Sequence, residues 1–290
     1  MSYIRFQDVS KSFNGTPVVK SVSFTIEKGE VCGFVGRNGS GKTVIFKLMT
    51  GLLVPDKGSV TFDGVNLTKQ NRFFESLGVM IETPGFIPHY SGLKNLKILN
   101  AMSVNPVPAE EICALMTRLG LNPKNRKSVR TYSLGMRQKL GIIQAVMNKP
   151  ELLVLDEPGS NLDPLMRDRL CDRFREYLDE GDGEKTILFS THNISDMEYA
   201  ADYVIFMAKG KIVEKGFVED LKEKYIIVRD DIATYESNKP YLLTKSKNAT
   251  VYSGLALAEN RGAVEAVGAA AEIPTLQQLS IEILKLYEGK

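Results

Sequence analysis

Val31-Cys32-Gly33-Phe34-Val35-Gly36-Arg37-Asn38-Gly39-Ser40-Gly41-Lys42-Thr43 is the stretch on which the fold turns. A short apolar run ends in glycine, and helical spacing begins at Thr43 and continues to Met49. Strand, glycine-rich loop and helix make the first half of a parallel α/β unit. The residues from Gly36 to Thr43 match the phosphate-loop pattern at every position, in the strand-to-helix context that the pattern requires.

The chemistry follows from the parts. Gly36, Gly39 and Gly41, with Arg37, Asn38 and Ser40 between them, let backbone N–H groups turn inward onto phosphate oxygens. The helix that starts near Lys42 adds the positive end of its dipole. Lys42 is expected to reach the β- and γ-phosphates of a nucleoside triphosphate, and the Thr43 hydroxyl to ligate Mg²⁺. The loop alone goes no further, since kinases, GTPases and motors share it.

Upstream, Tyr3 to Val9 and Val18 to Ile26 alternate as strands do, and Lys28-Gly29-Glu30 supplies a turn. Downstream, Ser91 to Ile143 has helical spacing, broken at Asn105-Pro106-Val107-Pro108 and from Gly120 to Lys127, which reads as a helical insertion. Leu152 to Leu155 is a continuous apolar run, as expected for a strand buried on both faces. Pro164 to Leu178 reads as helix, Thr186 to Phe189 as strand, Ile194 to Ala200 as helix and Tyr203 to Met207 as strand; Lys209-Gly210-Lys211 reads as a hairpin turn. After Val218 the pattern shifts to short strands at Tyr225 to Val228, Tyr241 to Thr244 and Thr250 to Ala256, closed by a helix from Leu276 to Tyr287. The predicted architecture is α/β: a large domain over 1–218 with a helical subdomain at about 84–145, and a small C-terminal α+β accessory domain over 219–290.

The 37 basic and 35 acidic residues balance, which gives no global reason to expect nucleic acid as a partner. Cys32, Cys113 and Cys171 lie far apart and suggest neither a disulfide framework nor a zinc site. No window approaches the roughly 20 apolar residues of a membrane-spanning helix, and Met1 to Asp8 lacks the features of a signal peptide.

The second chemical feature is Asp156-Glu157-Pro158, delivered at the C-terminal end of the apolar strand, where α/β sheets place ligands. Asp156 is suited to hold Mg²⁺, and Glu157 to polarise a water attacking the γ-phosphate. A solvated acidic turn is the plainer alternative for this tripeptide by itself.

Three further motifs narrow the family. Tyr132-Ser133-Leu134-Gly135-Met136-Arg137-Gln138 resembles the signature motif of ATP-binding cassette transporter ATPases, Ser160-Asn161-Leu162-Asp163 their interface loop, and Ser190-Thr191-His192 their switch-histidine motif. The resemblance covers at least residues 2–216. It implies a P-loop NTPase core with an antiparallel β subdomain and a helical subdomain. It also implies ATP and Mg²⁺ as cofactors, and a head-to-tail dimer, with an identical copy or a related ATPase, in which Ser133, Gly135 and Asp163 of one subunit meet the nucleotide on the other. Integral membrane permease subunits would be the partners, with the chain peripheral at the cytoplasmic face. His192 would touch the γ-phosphate, and Phe13, 23 residues before Gly36, would stack on adenine; a core phenylalanine is the alternative for Phe13. Ser133 can also cap the helix that follows it.

Two departures stand out. Where the family places a glutamine that contacts Mg²⁺ and the attacking water, Val79-Met80-Ile81-Glu82-Thr83-Pro84 carries Glu82. A carboxylate can coordinate Mg²⁺ but adds negative charge near the phosphates. Glu82 with Pro84, Phe86, Ser91 and Asn95-Leu96 resembles the bacitracin- and lantibiotic-type exporters, and this implies efflux of peptide antibiotics coupled through the segment Thr83 to Ser91. The signature motif has Tyr132 and Leu134 where the family has leucine and glycine. The competing functions are an importer ATPase, a non-transport cassette ATPase acting on ribosomes or DNA, and a phosphate-loop kinase or GTPase. The tail helix either packs on the domain or has a regulatory or dimer-forming role.

Overall fold

A computed structural model describes residues 3–67, 77–82, 84–181, 183–192, 194 and 200–288. The central sheet is built from β3 (Val31–Val35), β6 (Leu77–Met80), β7 (Leu152–Leu155), β8 (Thr186–Thr191), β9 (Tyr203–Ala208) and β10 (Lys211–Phe217), in the order β10-β9-β3-β8-β7-β6. From β9 to β6 the neighbours are parallel, and β10 closes the edge antiparallel to β9. The β9–β10 hairpin turns at Lys209 and Gly210, with φ of 50° and 82°, the paired positive values that match strand twist in a tight hairpin.

Strand alternation explains why these apolar runs are continuous. Cys32, Phe34, Leu152, Val154, Leu188, Ile205 and Met207 project to one face of the sheet. There they meet α1 (Lys42–Met49) and an antiparallel sheet of β1 (Ile4–Phe13), β2 (Thr16–Ile26), β4 (Lys57–Phe62) and β5 (Val65–Asn66). Val31, Val35, Leu153, Leu155, Ile187, Phe189, Val204 and Phe206 project to the other face. A strand covered on both faces must be mostly apolar along its whole length. An aromatic chain, Phe6–Phe24–Phe34–Phe46, crosses the first interface with ring centroids 4.4, 5.6 and 5.1 Å apart. Phe34 precedes the phosphate loop and Phe46 follows it, so both ends of the loop are anchored in the same core.

The helical subdomain comprises α2 (Gly92–Ala101), α3 (Ala109–Arg118) and α4 (Leu134–Val146), with a 3₁₀ turn at Val129–Thr131. Their apolar faces and that of α5 (Pro164–Asp179) belong to the second core. The helix expected over Ile194 to Ala200 and the coupling position Thr83 lie wholly or largely outside the described residues.

Past residue 217 the chain forms α6 (Val218–Lys224), β11 (Tyr225–Asp231), α7 (Tyr235–Asn238), β12 (Ser246–Lys247), β13 (Val251–Leu257), α8 (Arg261–Glu265), β14 (Ala270–Glu272) and α9 (Leu276–Glu288). The strands make a third sheet, β12-β13-β11-β14. Its two faces again divide by alternation. Ile226, Val228, Tyr252 and Ala256 build a small core of their own. Tyr225, Ile227 and Leu255 join the large core, together with Leu276, Leu279 and Ile283 of α9.

The strand expected at Tyr241 to Thr244 does not form. Leu242 makes an isolated bridge to Ala256, and the ladder proper resumes at Ser246. The reason is local: the Thr244 hydroxyl accepts the Leu255 N–H at 2.8 Å and donates to Glu282 of α9. A side chain thus takes a hydrogen bond that a backbone carbonyl would take in a strand. Gly254 permits the close approach, since a Cβ there would lie 2.2 Å from the Thr244 carbonyl oxygen.

Candidate active site

The phosphate loop joins β3 to α1. Gly36 is fixed by bulk, because a Cβ would stand 2.4 Å from the Met207 carbonyl oxygen; Gly39 and Gly41 are fixed by conformation, with φ of 81° and 106°. Among the described residues, no backbone carbonyl takes up the N–H groups of Gly39, Gly41, Lys42 or Thr43. The Ser40 Oγ is buried and without a hydrogen-bond partner among the described residues. These are the open donors that a phosphate chain fills, so the loop fits a nucleotide.

Lys42 is 5% exposed. Its Nζ donates to the Gly36 carbonyl at 2.6 Å and lies 3.5 Å from Glu157 Oε1. Burial pulls its pKa below the ordinary lysine value, while Glu157 and Asp156 act against that shift. Glu157 closes a second contact, with Oε2 2.8 Å from His192 Nδ1. Its backbone has φ of 50°, a region that a residue with a Cβ holds only when its surroundings impose it. Ser190 is one such constraint: its Oγ accepts the Glu157 N–H at 2.9 Å and donates to Asp156 Oδ1.

The other Asp156 oxygen accepts from Thr43 Oγ1 at 2.8 Å. This hydroxyl–carboxylate pair, drawn from the first turn of α1 and the end of β7, is a hard-oxygen donor set. It fits Mg²⁺, which takes one or two protein ligands together with phosphate oxygens and water. Glu82 follows the neighbouring strand β6, which is fastened to the acidic turn by the Asp156 N–H on the Met80 carbonyl at 2.7 Å. Glu82 has φ of 58° and an ion pair with Lys47.

Glu82, Asp156, Glu157, Leu134, Arg137, Gln138 and Asn161 line one cleft. Ser133, Gly135 and Asp163 lie instead on an adjoining open groove with Leu134 and Asn161. Ser133 caps α4, accepting the Met136 N–H at 3.2 Å, and Asp163 caps α5, accepting the Met166 N–H at 3.0 Å. Gly135 sits against the interface loop, where a Cβ would lie 2.6 Å from the Asn161 carbonyl oxygen. Phe13 ends β1 at 42% exposure; the core alternative for this ring is not realised. A cavity of about 530 Å³ among α3, α4 and α5 holds none of these residues.

Three residues of the site were not assigned from sequence. Ser190 lies within the switch-histidine motif, and its hydroxyl bridges the Glu157 N–H and Asp156. Gln138 Nε2 donates to the Glu157 carbonyl at 2.9 Å and so ties the signature helix to the acidic turn of its own chain. Lys47 could have been found from its place four residues after Thr43, one helical turn along the same face.

The family profile described as ABC transporter matches residues 19–160. The uncharacterized ABC transporter ATP-binding protein YhcH of Bacillus subtilis is 32% identical over 289 residues, covering 99% of this chain and 91% of that one. The chain belongs to the ABC transporter ATP-binding proteins. The lantibiotic transport ATP-binding protein SrtF of Streptococcus pyogenes is 33% identical over 77% of this chain and 95% of its own. The bacitracin transport ATP-binding protein BcrA of Enterococcus faecalis is 35% identical over 76% of this chain and 71% of its own. Among solved structures, an ATP-binding subunit of an ABC transporter superposes with a TM-score of 0.66 at 27% identity, over 76% of this chain and 92% of that one. The fold of a dimeric cassette bound to ADP and Pi also matches, with a TM-score of 0.68 over 74% of this chain and 98% of that one, at 19% identity. As a cassette of this family the chain binds ATP and hydrolyses it. No helix among the described residues is long and apolar enough to cross a membrane.

Proposed function

We propose that this ABC ATPase drives export of a peptide antibiotic or related drug through separate membrane permease subunits, working as a head-to-tail pair with ATP at the shared interface. The observation that carries the export reading is Glu82 at the end of β6, the feature by which the sequence resembles bacitracin- and lantibiotic-type exporters. The similarity to SrtF and BcrA supports it. The paired state is supported by the open groove of Ser133, Gly135 and Asp163, which no residue of the phosphate loop lines and which a second copy could meet.

In this reading the loop from Gly36 to Thr43 wraps the β- and γ-phosphates with backbone N–H groups, and Lys42 exchanges its contact with Glu157 for phosphate oxygen. Phe13 offers its ring to the adenine, since stacking needs only a flat π face. Thr43 and Asp156, with Glu82 nearby, would hold Mg²⁺, and the chemistry it would supply there is neutralisation of charge on the phosphates. Glu157, released from Lys42, orients and polarises the attacking water, while His192 holds the other carboxylate oxygen and reaches the γ-phosphate. Ser133 and Gly135 of a second copy present the N-terminus of α4 to the same phosphate. Closing and reopening of the pair would reach the permease through the segment from Thr83 to Ser91.

The test is affinity capture of the full chain from solubilised membranes, followed by resistance assays with peptide antibiotics. Recovery of a permease, with resistance lost in Lys42→Ala, is the expected result. Recovery on ribosomes or DNA, with no permease and no change in resistance, would replace this reading by the non-transport one.

A further inference from the structure

A carboxylate at position 82 introduces a negative charge beside a site built for a triphosphate, where like charges repel. The fold answers that charge locally. Lys47 Nζ lies 2.6 Å from Glu82 Oε1. Lys47 stands four residues after Thr43 on α1, so the two side chains leave the same helix face one turn apart. Thr43 holds Asp156 after β7, and Lys47 holds Glu82 after the adjacent parallel strand β6. Two successive turns of the helix that follows the phosphate loop therefore match the acids that follow two neighbouring strands.

We propose that Lys47 is a positioning residue: it neutralises Glu82 while the site is metal-free and yields the carboxylate when Mg²⁺ and nucleotide enter. This rests on the reading of Gly36 to Thr43 as the triphosphate site. The pair suits such an exchange. The Lys47 and Glu82 side chains are 26% and 62% exposed, and an ion pair so open to water is weak, screened by salt and easily parted. A buried pair would resist separation, because each charge would be left uncompensated. The left-handed backbone at Glu82, φ 58°, sets the direction in which the carboxylate leaves β6. The nearby carboxylates are engaged elsewhere: Asp156 with Thr43 and Ser190, and Glu157 with Lys42 and His192.

Charge arithmetic makes the idea testable. The pair is neutral as it stands, carries one excess negative charge in Lys47→Met and one excess positive charge in Glu82→Gln, and is neutral again in the double variant. The full chain is titrated with a fluorescent ATP analogue at low salt, once with EDTA and once with Mg²⁺. In EDTA the Lys47→Met variant should bind roughly 5- to 10-fold more weakly, as expected for one unscreened like charge near the ligand. Glu82→Gln should bind more tightly, while the double variant and Lys47→Arg should return towards the parent. Mg²⁺ should erase most of the Lys47→Met deficit, because the freed carboxylate is available to the metal, and high salt should compress all the differences. Equal affinity of Lys47→Met and the parent in EDTA overturns the proposal, as does a double variant no better than Lys47→Met. Lys42→Ala in the same assay separates the two layers. Normal binding there removes the triphosphate site itself, whereas lost binding there with an unchanged Lys47→Met removes only the role of Lys47. Thermal unfolding of each variant reports whether the fold is intact, and Lys47→Gln replaces Lys47→Met if the latter fails to fold.

Discussion

Glu157 is held between two partners, with one oxygen 3.5 Å from Lys42 and the other 2.8 Å from His192. In the proposed mechanism a base for water activation can share a cleft with the lysine that binds phosphate, because the ligand would displace the contact to Lys42 and leave that to His192. Glu157→Gln keeps the shape of the side chain but not the charge. It should retain ATP and slow hydrolysis by at least about 10²-fold, the usual contribution of a positioned base, while dimers accumulate with ATP in light scattering. A variant with parental turnover would remove Glu157 from the chemistry. At this scale the phosphate loop and the Asp156-Glu157 pair were legible because each motif is contiguous. Ser190 and Gln138 were not, because each gains its meaning from a residue 34 or 19 positions away, and Lys47 could be placed on the Thr43 face of its helix but not paired with Glu82, 35 positions on.

At the scale of elements, the caps of α4 and α5 coincide with residues that the family resemblance assigns to the nucleotide of a second copy. Asp163 serves its own helix first, accepting the Met166 N–H with Pro164 in the first turn. Asp163→Ala should therefore destabilise the isolated chain by about 1 kcal/mol, lowering the thermal midpoint by roughly 2–4 °C. Asp163→Asn preserves an equally good cap and should leave the midpoint within about 1 °C. Calorimetry on both variants checks this, and equal losses would show that the charge rather than the cap matters. Helix starts and breaks were readable from Ser133, Pro164 and the Asn105–Pro108 run. The strand expected at Tyr241 to Thr244 was misread because its alternation was matched by a threonine that bonds across to Leu255 and α9.

At the scale of the molecule, the composition shift near 218 does not interrupt the core. α9 places Leu276, Leu279 and Ile283 in the same apolar cluster as Val204 and Phe206. Tyr225 fastens the junction, donating from its hydroxyl to Glu214 of β10, which also pairs with Lys224 at 2.7 Å. Burial, and then the bond to Glu214, push the Tyr225 pKa up to about 12. An unfolded tyrosine ionises near pH 10. Between these values the unfolded chain has released a proton that the folded chain keeps, so stability present below pH 10 is lost as pH approaches 12. Tyr3 and Tyr177, raised chiefly by burial, act in the same sense. The urea midpoint should fall across this window, and Tyr225→Phe should show a shallower fall; an unchanged slope would exclude Tyr225 as a contributor.

The sequence by itself determined the phosphate loop, the acidic strand end and membership of the cassette family. Each of these is written in contiguous residues whose spacing or chemistry is self-sufficient. Only the tertiary structure decided which face each residue of the buried strands takes, that the C-terminal sheet shares the main core, and that Glu82 is answered by Lys47. Those outcomes depend on strand register and on the approach of α1 to β6, and neither is encoded within any single segment.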